Sequence, residues 1–328
     1  MALLRGVYIV AAKRTPFGAF GGLLKDFSAT DLTELAAKAA LSAGKVPPEI
    51  VDSVIVGNVM QSSVDAPYLA RHVGLRVGVP QATPALTLNR LCGSGFQSIV
   101  SGCQVWKYLG FEFVEGQYHL GALAHDAGHF NSEMAPIEVK VKKVKQMMQV
   151  DEHPRPQTTL EQLAKLPPVF KKQGTVTAGN ASGVCDGAGA VIIASEDAVK
   201  KHSLTPLARI VGYFASGCDP TIMGIGPVPA IKGALKKAGL SLKDMDLVEV
   251  NEAFAAQYLA VEDSLGLDPS KTNTNGGAIA LGHPLGASGT RITAHLVHEL
   301  RRRGGKYAVG SACIGGGQGI AVIIENTA

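Results

Sequence analysis

Apolar residues recur at two periods along this chain. Leu32–Ala43 carries them at helical spacing and ends at Gly44, and Val51-Asp-Ser-Val-Ile-Val-Gly-Asn58 then reads as a buried strand. The same helix–strand unit returns as Pro229–Ala238, Gly239 and Met245-Asp-Leu-Val-Glu-Val-Asn251. Ala85-Leu-Thr-Leu88 predicts a strand that runs through Cys92-Gly-Ser-Gly95 into a helix. In the second half a glycine-rich stretch, Gly276–Gly289, leads into a predicted helix over Thr290–Arg303. Asp186-Gly-Ala-Gly-Ala-Val-Ile-Ile193 is echoed by Gly317-Gln-Gly-Ile-Ala-Val-Ile-Ile324. Units repeated in one order predict an internal duplication, two α/β halves with mostly parallel sheets covered by helices. The first half takes residues 1–104 plus 174–205, and the second takes 206–328. Between them, residues 105–173 hold Trp106, Pro154, Pro156, Pro167, Pro168 and lysine runs with no clear period. That predicts a shortened, loop-rich region lying over the site.

Composition narrows the class. Hydrophobic residues make up 46% and charged residues 18% of 328, as in a compact enzyme. No apolar stretch approaches the roughly 18 residues of a membrane span. Five cysteines, an odd number with no C-x-x-C pair, argue against a disulfide framework and a structural zinc site. A reducing compartment is expected, with no metal. The net charge of +4 is mild, so Lys140–Lys145 and Arg301–Arg303 are read as solvated faces and no nucleic-acid partner is expected. The opening Met1–Val10 shows no signal-peptide cleavage pattern and is expected to run straight into a strand.

In sheets of this kind the reactive groups gather at strand carboxyl ends, where helix N-termini point. Three glycine-rich segments fall there, and each offers a Cys or a His. Cys92 is expected at the first turn of a helix, whose positive end lowers a thiol pKa and favours the nucleophilic thiolate. The alternative is a packed structural cysteine, the role expected for Cys103, Cys185 and Cys218. His283, held between Gly282 and Pro284, reads as a base for Cys92 or as an ordinary loop histidine. Cys313 ends a predicted strand before three glycines. It reads as a second thiol that moves a proton at a substrate α-carbon, or as a core residue. Asn251 reads as a holder of an oxyanion water or as a helix cap. The glycines after Cys313 lack the Lys-Ser/Thr of a phosphate loop, so nucleotide binding is not expected.

Taken in order, Cys92-Gly-Ser-Gly, Asn251-Glu-Ala-Phe-Ala, Gly282-His-Pro-Leu-Gly and Cys313-Ile-Gly-Gly-Gly-Gln-Gly resemble the motifs of the thiolase family. Tyr8-Ile-Val-Ala-Ala-Lys-Arg-Thr-Pro-Phe-Gly18 and Gly174-Thr-Val-Thr-Ala-Gly-Asn-Ala-Ser-Gly183 match as well, nearest to the family's branch in mitochondrial fatty-acid β-oxidation. The resemblance implies a thiolase-like fold with a truncated covering loop domain. It implies thiolytic cleavage of 3-oxoacyl-CoA to acetyl-CoA and a shortened acyl-CoA, and the reverse Claisen condensation, in the mitochondrial matrix. Cys92 would be the acylated nucleophile, His283 its activator, Cys313 the proton donor and acceptor, and Asn251 the holder of the oxyanion water. The backbone N–H groups of Cys92 and Gly315 would form a second oxyanion hole. Arg155, Thr158 and Ser182 match positions that contact coenzyme A, which is a substrate, so no cofactor is implied. The family's members are oligomers, which leads to the expectation of a homo-oligomer, dimer or tetramer.

The match fails between Val105 and Leu123. Relatives continue there with a buried strand and the first part of a covering domain, neither of which is present, and Asp126–Pro136 rejoins the pattern. The chain is shorter than its relatives by roughly seventy residues, about half a typical domain. A strand is thereby lost from inside the first-half sheet, and Phe111-Glu-Phe-Val114 is expected to fill in as a short one. Two outcomes follow: an active thiolase, or a catalytically impaired chain that only binds or oligomerises. Condensing relatives such as ketoacyl synthases pair their Cys with two His or with His and Asn, so Cys313 favours a thiolase. A cysteine hydrolase gives no reason for two active thiols.

Overall fold

The computed structural model describes residues 6–104 and 121–328. The first half contributes β1 (Val7–Arg14), β2 (Gly18–Ala19), α1 (Ala29–Gly44), β3 (Val54–Gly57), α2 (Leu69–Arg76), β4 (Ala85–Leu88) and α3 (Ser94–Gln104). The covering region follows with α4 (Gly121–Asp126), β5 (Ile137–Val141), β6 (Val144–Met148) and α5 (Leu160–Ala164). The chain then returns through β7 (Cys185–Asp186), β8 (Gly189–Ser195) and α6 (Glu196–Lys201). The second half holds β9 (Ala208–Gly217), α7 (Pro227–Ala238), β10 (Leu247–Val250), α8 (Ala255–Leu265), α9 (Ser288–Arg303), β11 (Tyr307–Ile314) and β12 (Gln318–Asn326).

Local chemistry sets these boundaries. Ser28 opens α1 with a capping box closed by Asp31, and Lys45 ends it in the left-handed region. α9 stops at Gly304, φ 67°, a conformation that L side chains resist. β11 turns into β12 over Gly315–Gly317, where Gly316 and Gly317 have φ of 80° and 86°.

The α/β class holds, and the sheet is mixed. Strands run in the order β10-β11-β12-β9-β1-β8. Among the described strands, parallel pairing is confined to β10–β11 and to the separate pair β3–β4, where a helix crosses between the strands. The tight glycine turn forces β11 and β12 antiparallel, and β9, β1 and β8 continue antiparallel. Helices α3 and α9 form a middle layer. Phe96, Ile99, Val100, Ile292, Leu296 and Leu300 pack there with inward residues of β1, β8, β11 and β12. α1 and α2 cover the far side of the first half, and α7 and α8 that of the second. Each large apolar side chain buried in these layers contributes about 1.5–3 kcal/mol.

The duplication gives each strand of one half a counterpart place in the other. β11 joins β10 to β12 in the second half. β3 and β8 hold the matching places in the first, sharing one core through Val54, Val56, Ile192 and Ala194. Among the described residues no strand joins them: β3 pairs with β4 and β8 with β1. The expected filler, Phe111–Val114, lies outside the described residues.

The halves touch through glycine. A Cβ on Gly95 would stand 2.7 Å from the Gly289 and Thr290 nitrogens, and a Cβ on Gly289 would collide with the Phe96 nitrogen. Backbone cannot yield there. Gly289→Ala is expected to lower stability by about 1–3 kcal/mol or more, seen as a lower urea midpoint at unchanged m value.

The covering region carries an order that its lysines conceal. Ile137, Val139 and Met148 face inward from the β5–β6 hairpin into the core of α1, α2 and β8. Lys142 and Lys143 occupy its turn at φ 48° and 70°. The region is pinned by Arg14, fully buried, whose Nε donates to Glu133 at 2.5 Å and whose Nη1 donates to Asp151 at 2.8 Å. His295 of α9 meets the other Glu133 oxygen at 2.9 Å, and His125 meets Asp151 at 2.8 Å. Among the described residues no helix is long and apolar enough to cross a membrane.

Candidate active site

The Cys92 turn begins where β4 ends. Asn89 Oδ1 accepts the Leu91 N–H at 2.8 Å, and Leu91 is held at φ 46°, strained for a branched side chain. Gly93 follows without a Cβ because Ile314 and Ile320 press against it. That contact places Cys92 beside the end of β11. Cys313 lies there, fully buried, close enough for the Cys92 charge to raise its pKa. The Gly315 N–H lies close enough to the Cys92 sulfur to lower its pKa.

Asn251 is the residue after β10, fixed by its N–H to Ser311 O at 2.9 Å. Its Nδ2 lies 3.3 Å from His283 Nδ1 and 3.5 Å from Nε2, and its Oδ1 is buried with no hydrogen-bond partner among the described residues. His283 is 5% exposed, and its Nδ1 is 2.7 Å from Ser288 Oγ. The loop before it is anchored by Glu252, which accepts from Asn273 Nδ2 at 2.9 Å and from the Ile279 N–H at 3.1 Å. A Cβ on Gly277 would overlap that carboxylate. The sequence reading gave Glu252 no role; its place beside Asn251 was the available signal.

Cys92, Cys313 and Gly315 therefore form one cluster and Asn251 with His283 another. The Gly95 contact with Gly286 O and Gly289 N brings the two helix starts together. Among the described residues no hydrogen bond runs directly from Cys92 to His283.

Electrostatics reverses one expectation. Burial pushes the Cys92 thiol up, and the Gly315 N–H only partly offsets it, so the helix start does not yield a resting thiolate. Burial, with the Arg291 charge behind it, pushes His283 down to about 3. The pair rests neutral. Cys313 is pushed up to about 12, by burial first and by Cys92 next, and keeps its proton. Arg291 is itself buried and paired with Glu249.

The remaining cysteines divide. Cys103 and Cys185 are buried in the core, as expected for packing residues. Cys218, read as a loop cysteine, lies near enough to Cys313 to raise its pKa further. Nothing in its local sequence marked that approach.

A cavity of about 470 Å³ opens in the covering region. Arg155 and Thr158 line it with His153, Leu163, Gly179 and Ile279, the last from the loop that precedes His283. Ser182 is not among its lining residues; its N–H and Oγ donate to Ala253 O at 3.0 and 2.9 Å, two residues from Asn251.

Two family models match the chain: the thiolase N-terminal domain over residues 7–108 and 112–197, and the thiolase C-terminal domain over 204–326. Human mitochondrial 3-ketoacyl-CoA thiolase is 69% identical over 397 aligned positions, spanning 100% of each chain. This chain has 328 residues, so the alignment crosses a gap. The crystal structure of that human enzyme superposes with a TM-score of 0.96 at 68% identity, covering 99% of this chain and 100% of that one. The human enzyme in complex with CoA gives 0.95 at 67% identity, covering 100% and 99%.

Proposed function

The chain belongs to the thiolase family, and we propose that it acts as a mitochondrial 3-ketoacyl-CoA thiolase in fatty-acid β-oxidation. It binds acyl-CoA, cleaves 3-oxoacyl-CoA to acetyl-CoA and an acyl-CoA two carbons shorter, and runs the Claisen condensation in reverse. The observation that carries this reading is the pairing of two thiols, Cys92 and Cys313, from opposite halves around the Gly315 amide.

His283 takes the Cys92 proton as the sulfur attacks the substrate C3 carbonyl. The C2–C3 bond breaks, and Cys313 protonates C2 of the departing enolate to give acetyl-CoA. Its high pKa suits a donor that must still hold its proton when the enolate forms. The Cys313 thiolate then takes the proton of the incoming coenzyme A thiol, whose sulfur displaces the acyl group from Cys92. His283 returns its proton to Cys92, and the site is restored. The covalent intermediate requires ping-pong kinetics. The N–H groups of Cys92 and Gly315 are the oxyanion donors to the acyl carbonyl. The unpartnered Asn251 Oδ1 supports its role as holder of a water for the enolate oxygen.

Arg155 and Thr158, in the cavity wall, are assigned to coenzyme A, as is Ser182, which follows the lining residue Ala181. Coenzyme A enters as a substrate, and the chemistry draws on no cofactor. The domain division is 1–104 with 174–205, then 105–173, then 206–328, and the working form is a homo-oligomer. Coenzyme A-dependent thiolysis of a 3-oxoacyl-CoA by the purified chain tests the reading; no turnover from a folded, oligomeric protein would favour the binding-only alternative. Cys313→Ala is expected to abolish acetyl-CoA α-proton exchange while Cys92 still acquires an acyl group. Equal loss of both would count against the division of roles.

A further inference from the structure

We propose that Ser288 is a positioning residue that fixes the tautomer of His283, with the ring proton on Nδ1 and the lone pair on Nε2. This rests on the thiolase reading, in which His283 must accept a proton. Ser288 opens α9 fully buried, its Oγ 2.7 Å from His283 Nδ1 and 2.9 Å from Pro284 O. A hydroxyl has one hydrogen to donate, and a carbonyl oxygen can only accept. If that hydrogen goes to Pro284 O, the Oγ must accept, and Nδ1 must carry the proton. If it goes to Nδ1 instead, Nε2 is protonated and cannot take a proton from a thiol.

The duplicated half decides between them. Ser94 opens α3 within Cys92-Gly-Ser-Gly95 as Ser288 opens α9 within Gly286-Ala-Ser-Gly289. Ser94 Oγ donates to Leu91 O at 2.8 Å and accepts the Arg90 backbone N–H at 2.8 Å. A backbone N–H has no tautomer, so the direction of that pair is fixed. The same serine in the second half keeps its hydrogen on a carbonyl of its own turn, and the imidazole Nδ1–H stands where the Arg90 N–H stands. Asn251 Nδ2, at 3.3 and 3.5 Å from the two ring nitrogens, favours neither. Second-sphere groups commonly set the tautomer of a working imidazole in this way.

The test combines two readouts on the full chain. With ¹⁵N-labelled histidine, the His283 signals, identified by difference against His283→Gln, report which ring nitrogen bears the proton. Wild type is expected to show Nδ1–H. Ser288→Ala is expected to move the ring toward Nε2–H and to lower kcat by roughly 10²-fold or more with KM little changed, and Ser288→Thr should restore Nδ1–H. An Nε2–H ring in the wild type overturns the proposal. So does a kcat loss in Ser288→Ala with the tautomer unmoved, which would make the serine merely structural. If the wild type shows no thiolysis, the thiolase reading fails by itself, while the spectrum still decides what Ser288 does to the ring.

Discussion

Cys92→Ser is expected to lower kcat for thiolysis by about 10⁴-fold or more, with the fold intact. The hydroxyl is a far weaker nucleophile than a thiol, and burial opposes its ionisation as it already opposes that of Cys92. The turn itself should survive, because its geometry rests on the Asn89–Leu91 bond and on Gly93 against Ile314, not on the sulfur. Circular dichroism and the melting temperature should therefore stay near wild type while steady-state turnover disappears. Cys103→Ala, in the α3 core, should show the opposite pattern, with lower stability and little change in kcat. Similar activity loss in both variants would remove the distinction between a reactive and a packing thiol.

Arg14→Leu is expected to destabilise the protein by about 3–5 kcal/mol, because it removes the cation that two buried carboxylates share. Arg14 also stacks between Phe17 and Phe130, 4.8 and 5.0 Å from their ring centres, so shape is lost along with charge. The cluster gives the stability a signed pH dependence. Burial alone would raise Glu133, but His295 and Arg14 hold it down at about 2. Asp151, against the same burial, is held well below the usual carboxylate range by Arg14 and His125. Carboxylates depressed in the folded state contribute fully above their ordinary values near 4. Their contribution is lost as pH falls toward 2. The buried His283, pushed down to about 3, acts in the same direction but from higher pH, since the unfolded ring takes a proton at 6.5 and its contribution to stability falls away between 6.5 and about 3. Wild-type melting temperature should thus fall steeply from pH 4.5 to 2, and the slope should flatten in Arg14→Leu. An unchanged slope would mean that the cluster is not what acid titrates.

How much of this was legible depends on where the physics is written. Both halves were readable because their helix and strand periods are strong and the order repeats; Ala85–Leu88 was predicted at its observed limits. The antiparallel share of the sheet was not, since a strand's direction depends on its connection, and only the Gly315–Gly317 turn gave that away. The β5–β6 hairpin alternates cleanly at Ile137, Val139 and Val141, yet Lys142-Lys143 replaced the Asn-Gly signal expected at such a turn. Arg14 sat in a motif that matched, but a sequence cannot show that its guanidinium is buried. The candidate residues were picked out through glycine context, and their electrostatics were not. The raised pKa of Cys92 comes from burial by both halves at once, and only the assembled fold contains it.

The shortening of the first half was also readable, as a gap in a motif series, and among the described residues no strand joins β3 to β8. The pairing of Cys92 with Cys313 is held by other parts, namely α3, α9 and β11. The most direct measurement is mass spectrometry of the purified chain mixed with a 3-oxoacyl-CoA in the absence of free coenzyme A. An acyl group on Cys92, one acetyl-CoA released per subunit and discharge of the adduct on adding coenzyme A are expected. A folded protein that carries no adduct, or carries it on Cys313, would contradict the two-thiol site.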